Sequence, residues 1–380
     1  MKPVFIFLYV LFLLCFSIFS YLFIDPNLLY LHRFYSGFAF NNRQLTSVLY
    51  ILLILIFFLF YFLIVRLGKK GLFSLKDFRL YVILTIILLF FSYPAMLSYD
   101  IFNYAATSKV LFFYHENPYL IMPVEFTKDP LLLFMHAANK TALYGPVWIL
   151  LTGIPYLLGF GNFLLMLLNF KLFVILFYLG TISMVWKISK NFSTLLLFSL
   201  NPLIIIETLL SGHNDIVMMF FALTSFYLLM KKKIFWAVIF IMLAILIKYA
   251  TLFLLPIFIY VVIKRVRKME INWDSIFSYS AILMIMAFLL SPIREEIYPW
   301  YAIWFLPFAF LVPKNKILLY LSISFSFGLL LRYIPFMLLG TYFGPTPLIK
   351  TLVTFVPPIV ALAYLFIKEK LWQKNIFQYF

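Results

Sequence analysis

The sequence predicts an all-α, polytopic membrane protein of about twelve transmembrane segments, because apolar runs of about 20 residues recur along the chain. Its 380 residues are 66% hydrophobic and 22% aromatic, and only 11% of them are charged. A soluble domain keeps about a quarter of its residues charged in order to wet its surface. This chain cannot supply such a surface, and therefore most of its exterior must face lipid.

The apolar runs define the predicted segments one by one. They lie near residues 3–23, 47–65, 80–97, 161–186, 192–210, 214–230, 275–291, 300–313, 317–334 and 348–367. A further apolar stretch, 234–263, lies between basic clusters at 231–233 and 264–268. Because both clusters are predicted to be cytoplasmic, this stretch must cross and return, turning near Lys248 and Tyr249. The first run follows Lys2 and lacks a small-residue cleavage site, so it is interpreted as an anchor.

The charged residues predict an orientation. The formal net charge is +17, but the basic residues occur in short clusters between apolar runs, which is typical of cytoplasmic loops rather than of a nucleic-acid-binding face. With the N-terminus inside, most of the acids and all four histidines fall toward the outside. The long stretch from Ser98 to about Phe160, in which polar residues interrupt the apolar sequence, also falls on that side. The sequence therefore predicts that the chemistry takes place on the non-cytoplasmic side.

Several kinds of site are disfavoured by composition. Cys15 is the only cysteine, which excludes an intramolecular disulfide and a thiolate metal site. No Gly-rich phosphate loop and no soluble nucleotide-binding domain are recognisable, which argues against ATP-driven transport by this chain alone.

Asp100 is the first candidate for catalysis, since it lies at the outer end of the third apolar run. A charged residue at membrane depth is costly and usually functional. One interpretation is a general base that takes a proton from a sugar hydroxyl. The alternative is an acid that caps the following helix or lies in water.

The sequence Gly212-His213-Asn214-Asp215 lies between two apolar runs and allows two interpretations. Asn214 or Asp215 could cap the following helix. A helix N-terminus beside an imidazole also suits an anionic ligand, and the two interpretations are compatible.

Three further cations and a group of aromatic residues fall on the predicted outer side. Lys248, Arg294 and Arg332 suit phosphate oxygens, although a lysine can merely extend to the headgroups and Arg294 can pair with a neighbouring glutamate. Trp300, Tyr301 and Trp304 are typical of an interfacial aromatic belt, but such rings also stack on sugars. Together these residues favour a substrate with a lipid tail, a phosphate and a polar headgroup.

Local sequence words then resemble a known family. The words SYDIFNYA at 98–105, ENPY at 116–119 and YGPVW at 144–148 look like the first outer loop of the polyprenol-phosphomannose-dependent mannosyltransferases, which belong to the GT-C class. The words NP at 201–202, GHND at 212–215, LIKY at 246–249 and YPWY at 298–301 follow in that family's order. The resemblance covers about residues 80–310, and implies a single domain with a two-helix extension at 1–79 and C-terminal helices at 311–380.

The resemblance implies a GT-C fold with an extended first catalytic loop and an inverting transfer of a hexose, with mannose the first choice. A polyprenyl-phosphate sugar is the implied donor, and a glycan or glycolipid is the implied acceptor. Asp100 is the implied catalytic base, with Lys248, Arg294, Arg332 and His213 around the donor phosphate. The residues expected to contact the substrates are Tyr99, Tyr104, Asn117, Tyr119, Tyr144, Asn214, Asp215, Tyr249, Trp300 and Tyr301.

No cofactor and no tightly bound metal are expected, because a monophosphate donor lacks the diphosphate that commonly chelates Mg²⁺. The implied location is the cytoplasmic membrane, with the lipid bilayer as a partner and no nucleic acid. Two other classes stay open at this point: a lipid-linked sugar flippase or transporter, and a purely structural membrane subunit. A lipid-diphosphate-dependent glycan polymerase or ligase is the enzymatic rival, but it would typically show a larger outer loop late in the chain.

Overall fold

The structure is a computed structural model that describes residues 2–28, 37–293 and 296–377, and within these ranges every regular element is helical. The first nine α-helices are α1 Lys2–Ser20, α2 Phe38–Asn41, α3 Arg43–Lys69, α4 Leu75–Phe90, α5 Asp100–Phe112, α6 Pro146–Leu157, α7 Phe163–Ser189, α8 Phe192–Ser199 and α9 Pro202–Ile205. The others are α10 Asp215–Met230, α11 Ile234–Ile247, α12 Leu255–Val266, α13 Trp273–Leu290, α14 Leu306–Leu311, α15 Lys316–Leu331, α16 Ile334–Leu339 and α17 Thr346–Phe377. The chain is therefore a polytopic helical membrane protein, as its composition predicts.

The helices differ in whether they can cross a bilayer alone. Seven described segments are long and apolar enough to do so: Pro3–Phe23, Arg43–Lys69, Phe163–Ser189, Tyr249–Val266, Trp273–Ile293, Lys316–Leu339 and Thr346–Lys368. The pair Phe192–Ser199 and Pro202–Leu210, bent by 52°, would make an eighth. The predicted number of about twelve is not confirmed by these described segments. Helix α11 shows the reason, since its 14 residues extend only about 21 Å against a hydrocarbon core of about 30 Å.

Asn201 and Pro202 explain why the apolar run at 192–210 is not one straight helix. Pro202 has no N–H to continue the hydrogen bonds of α8. The Oδ1 of Asn201 instead accepts hydrogen bonds from the N–H groups of Leu203 and Ile204, at 3.1 and 3.3 Å, and so begins α9. A π-helical turn, Ile206–Leu210, follows α9 directly.

A buried lysine closes the end of α4 and fixes the start of the segment that carries Asp100. The Nζ of Lys171, on α7, donates hydrogen bonds to the carbonyl oxygens of Leu89 and Ser92, both at 2.7 Å, and to the Ser92 Oγ at 2.9 Å. The Lys171 amine thus meets three oxygen acceptors at the carbonyl end of a helix. Earlier along α4, helix α1 packs against it, and the Tyr9 hydroxyl lies 2.8 Å from the Thr85 hydroxyl.

A second break in the helices lies at Lys248. Helix α11 ends at Ile247, Lys248 is extended, and a 3-10 turn, Tyr249–Leu254, leads into α12. The N–H of Gly145, just before α6, donates a hydrogen bond to the carbonyl oxygen of Ile247 at 3.1 Å. A Cβ at position 145 would clash with the carbonyl oxygen of Leu246, so glycine is required for this close approach.

Candidate active site

Asp100 lies in the first turn of α5, with its carboxylate partly accessible. Its side chain is 23% exposed. Its N–H donates a hydrogen bond to the Ser98 Oγ at 3.3 Å, and its Oδ1 accepts one from the Asn103 Nδ2 at 3.5 Å. Tyr99 occupies the N-cap position, and no side-chain cap is formed there. The helix dipole favours the ionised carboxylate at this position, and part of the side chain remains exposed.

His213 lies between two carboxylates. Its Nδ1 is 3.5 Å from the Oδ2 of Asp100, its Nε2 is 3.2 Å from the Oε2 of Glu207, and its side chain is fully buried. The imidazole stacks on Trp300 with a ring separation of 4.0 Å. The π-helical turn and Gly212, whose φ is +74°, direct the chain so that His213 returns over Glu207. A π-helical turn at a functional site is a common arrangement.

The two carboxylates set the charge of His213. Burial by itself lowers the pKa of the imidazole, but Asp100 and Glu207 together raise that pKa to about 9. Burial also raises the pKa of Asp100, yet His213 and Lys248 outweigh it and the net pKa of Asp100 is lowered. At neutral pH the pair is therefore a carboxylate and an imidazolium.

Glu207 extends this network into the protein core. It is completely buried, and its Oε1 accepts a hydrogen bond from the Tyr333 hydroxyl at 2.9 Å. The sequence interpretation gave Glu207 no role. The available signal was a carboxylate within an apolar run, a few residues after an Asn-Pro break.

Asp215 and Lys248 form a second ion pair. The Lys248 Nζ lies 2.8 Å from the Asp215 Oδ1, which also accepts a hydrogen bond from the Trp304 Nε1 at 2.5 Å. Asp215 is fully buried, whereas the Lys248 side chain is 21% exposed. The Lys248 Nζ also lies 4.8 Å from the centre of the Tyr301 ring. Lys248 thus has one fixed partner and keeps N–H groups for a further anion.

Tyr104 contacts residues of two other sequence words, YGPVW at 144–148 and GHND at 212–215. Its hydroxyl accepts a hydrogen bond from the Asn214 N–H at 3.3 Å, and its ring lies 4.8 Å from Tyr144 and 5.0 Å from Trp148. Asn214 is at the N-cap position of α10, but its side chain makes no capping hydrogen bond. The predicted capping role of Asn214 is therefore not seen.

Buried polar atoms without a protein partner surround this part of the site. They include the Asn103 Oδ1, the Asp215 Oδ2, and both side-chain polar atoms of Asn214. Buried polar groups are normally hydrogen-bonded, and unpaired ones in a native site call for a ligand or water. A hydroxyl-rich molecule has the donors and acceptors that these atoms require.

The remaining predicted contact residues are Tyr99, Asn117, Tyr119 and Tyr249. Tyr99 stacks on His136 at 3.9 Å. The Tyr119 hydroxyl donates a hydrogen bond to the Tyr144 carbonyl oxygen at 2.7 Å, and the Tyr119 N–H donates one to the Asn117 Oδ1 at 3.0 Å. Tyr119 and Tyr249 are 41% and 52% exposed.

Arg332 belongs to a neighbouring cluster. Its Nη2 lies 2.7 Å from the Glu296 Oε1, and its Nη1 donates a hydrogen bond to the Thr354 Oγ1 at 3.2 Å. Arg294, for which a phosphate contact is predicted, lies outside the described residues, as does its neighbour Glu295. Among the residues that the structure describes, no group of three His, Cys, Asp or Glu side chains is arranged to hold a metal ion.

A comparison with known families identifies a match over most of the chain. A family model described as the N-terminal domain of the alpha-(1->6)-mannopyranosyltransferases matches residues 26–264, which is more than half of the chain. The matched residues include Asp100, Glu207, His213, Asp215 and Lys248. No curated protein and no solved structure matches the chain significantly.

Proposed function

Because the chain belongs to the alpha-(1->6)-mannopyranosyltransferase family, we propose that it moves mannose from a polyprenyl-phosphate donor to a hydroxyl of a glycan or glycolipid. The observation that carries this proposal is the partly exposed Asp100 carboxylate held beside the buried His213. A sugar donor and an acceptor follow from the family, whereas the lipid phosphate is supported by the cations around the site.

Asp100 is the proposed general base. Its carboxylate takes the proton of the acceptor hydroxyl as the hydroxyl oxygen attacks the anomeric carbon of mannose. The bond from that carbon to the phosphate oxygen breaks in the same displacement, and the configuration inverts. The proton ends on Asp100, and the electron pair leaves with the lipid phosphate. His213, locked between Asp100 and Glu207, orients the carboxylate.

Lys248 and Arg332 are the described cations proposed to stabilise the departing phosphate, whose negative charge grows in the transition state. Lys248 is the better placed of the two, because it is partly exposed and is joined to Asp215 beside the unpaired polar atoms. His213 has both ring nitrogens turned toward carboxylates, so its geometry supports orientation of Asp100 rather than the phosphate contact expected from the resemblance.

The proposed location is the cytoplasmic membrane, with the reaction on its non-cytoplasmic side. Support comes from the basic clusters at 231–233 and 264–268 and from Lys248 at the helix break between them. The shorter apolar helices, such as α10 and α11, would complete the proposed set of about twelve segments where the bilayer thins around them.

The direct test is transfer by the purified full-length protein. Polyprenyl-phosphate mannose, labelled in the sugar, is incubated with the protein and an α-mannoside acceptor, and the product linkage is read by NMR. Transfer that requires the lipid-phosphate donor supports the proposal, and transfer only from a nucleotide sugar contradicts it. Polyprenyl-phosphate glucose serves as the matched donor control.

A further inference from the structure

Tyr333 holds a buried carboxylate beside the candidate active site and has no role in the proposed reaction. That carboxylate, Glu207, lies in the π-helical turn Ile206–Leu210 and has no exposed surface. Its Oε1 accepts a hydrogen bond from the Tyr333 hydroxyl at 2.9 Å, and its Oε2 lies 3.2 Å from the His213 Nε2. A buried carboxylate keeps its charge only when it is paired and hydrogen-bonded. Tyr333 therefore supplies one of the two contacts that Glu207 needs.

The surroundings of His213 suit only one form of its ring. Its two nitrogens face carboxylate oxygens of Asp100 and Glu207, and ionised carboxylates only accept hydrogen bonds. An imidazolium has two N–H donors, whereas a neutral imidazole has one. If His213 lost its proton, one of the two carboxylates would face a lone pair. The orientation of Asp100 therefore depends on the charge of Glu207, which keeps the imidazole protonated.

The fold holds Tyr333 in place through its neighbours in the sequence. Tyr333 lies between α15 and α16. At the end of α15, the carbonyl oxygen of Leu330 accepts a hydrogen bond from the hydroxyl of Tyr50, on α3, at 2.9 Å. The next contact is the ion pair of Arg332 with Glu296 at 2.7 Å. Because these contacts fix the backbone just before Tyr333, its hydroxyl is held at Glu207.

Several elements bring titratable or charged groups to the Asp100, His213 and Glu207 side chains. Besides Tyr333, these groups are Tyr50 on α3, Tyr104 on α5, Tyr144 just before α6, and Lys248 just after α11. Tyr50 donates its hydroxyl hydrogen bond to Leu330, whereas Tyr333 donates its own to Glu207. Lys248 acts on Asp100 and is left intact in every variant below.

We propose that Tyr333 is a positioning residue: it keeps Glu207 charged and in place, so that His213 stays protonated and orients Asp100. The effect on turnover rests on the proposed role of Asp100 as the base, whereas the contacts from Tyr333 to His213 do not. Tyr333 lies beyond residues 26–264, which the family model matches. The helices that follow the matched part of the chain thereby contribute to the site.

Tyr333→Phe should change how the transfer rate depends on pH. Glu207 loses a hydrogen bond that favours its charged form, and His213 then releases its proton more easily. The wild-type rate should fall on the alkaline side near the His213 pKa of about 9. In Tyr333→Phe this midpoint should move down by about one pH unit, the order expected for one hydrogen bond to a charged group. Turnover near neutral pH and the KM for both substrates should change little, whereas well above the midpoint turnover should fall roughly tenfold.

Tyr61→Phe is the matched control. Tyr61 is buried on α3, and its hydroxyl donates a hydrogen bond to the carbonyl oxygen of Leu197 at 3.0 Å. This variant also loses a buried tyrosine hydrogen bond, but the acceptor is a backbone carbonyl, so the alkaline midpoint should stay at its wild-type value. If Tyr333→Phe lowers the rate equally at every pH, its role is structural only and the proposal is overturned.

Glu207→Gln tests whether Tyr333 acts through Glu207. Glutamine keeps the size of the side chain and removes its charge, so the midpoint should shift in the same direction and further. The double variant Tyr333→Phe/Glu207→Gln should shift no further than Glu207→Gln alone, because the two residues act in one chain of contacts. Additive shifts overturn the proposal. So does an unshifted Glu207→Gln midpoint, even if Tyr333→Phe does not fold.

The protonation of His213 can also be read without catalysis. Full-length protein with isotope-labelled histidine is titrated in nanodiscs by NMR, and the His213 signal is assigned by its loss in His213→Gln. A lower midpoint in Tyr333→Phe than in Tyr61→Phe supports the proposal. If that shift is seen but the wild type transfers no mannose, the proposed function fails and the link from Tyr333 to His213 stands. If the wild type transfers mannose and the two variants have equal midpoints, the function stands and the role of Tyr333 is overturned.

Discussion

The Nδ1 of His213 lies 3.5 Å from the Oδ2 of Asp100, and the imidazole has no exposed surface while the carboxylate does. The second ring nitrogen faces Glu207, and Trp300 covers the ring, so the imidazole cannot turn away without breaking three contacts. This arrangement gives Asp100 a fixed orientation and leaves one side of its carboxylate for substrate. Four experiments test what the arrangement and its neighbours do.

Asp100→Asn should lower turnover by about 10²- to 10⁴-fold, the usual contribution of a general base. Asparagine keeps the size of the side chain and loses its basicity, so the protein should still insert and fold. The measurement is the rate of mannose transfer at saturating donor, beside a thermal-unfolding check. Asp274→Asn, in the exposed first turn of α13, should leave the rate unchanged. Near-normal turnover by Asp100→Asn would remove it as the base.

The stability that His213 contributes should depend on pH. The folded-state pKa of about 9 lies above the ordinary value of 6.5, so the contribution is complete below pH 6.5 and disappears as pH rises through 9. Thermal unfolding of the wild type and of His213→Gln should therefore differ most at pH 6, and the difference should shrink by on the order of 3 kcal/mol by pH 10. His115→Gln serves as a control because His115 is exposed and lies just after the end of α5. A difference that is constant across this range would contradict the charged imidazole.

The Lys248–Asp215 pair should show coupling in a double-mutant cycle. Each single variant, Lys248→Met or Asp215→Asn, disrupts a buried pair, whereas the double variant removes both charges together. The coupling free energy of unfolding should be about 1–3 kcal/mol. Lys248→Met should also raise the KM for the donor more than the KM for the acceptor, and Lys248→Arg should retain part of the donor affinity. Additive effects on stability, or equal effects on both substrates, would separate Lys248 from the proposed phosphate site.

The orientation can be tested by cysteine labelling after Cys15 is replaced. A cysteine at the exposed Lys140, in the segment between α5 and α6, should react with an impermeant maleimide applied outside intact cells. A cysteine at the exposed Lys232 should react only after the membrane is opened. The reverse pattern would place the candidate site on the cytoplasmic side.

The sequence identified the helical membrane class and several residues that the fold brings together. Asp100, His213, Asp215 and Lys248 are separated by as much as 148 positions in the numbering, yet ordered sequence words were enough to nominate them. Trp300 was also nominated, and it stacks on His213. Words of this kind point to chemistry because polar and charged residues are costly in apolar surroundings and are usually functional where they occur.

Other features could not be read from the sequence. Hydropathy does not separate a full span from a short buried helix, so the sequence alone does not show that α10 and α11 are shorter than the other predicted segments. Glu207 contacts the second ring nitrogen of His213 because it lies in a π-helical turn, and no periodicity in the sequence indicates that turn. The pairing of Arg332 with Glu296 joins residues from separate segments, and only tertiary structure determines it.

The hydrogen bond between Gly145 and Ile247 has a consequence for engineering. It joins the backbone that carries Tyr144 to the backbone that carries Lys248, so a displacement of one stretch also displaces the other. A loop grafted from another protein at position 145 would shift Lys248 as well as Tyr144. Redesign of acceptor choice is therefore better confined to exposed side chains such as Tyr249, which is 52% exposed, than to Tyr119, whose hydroxyl is bonded to the Tyr144 carbonyl oxygen.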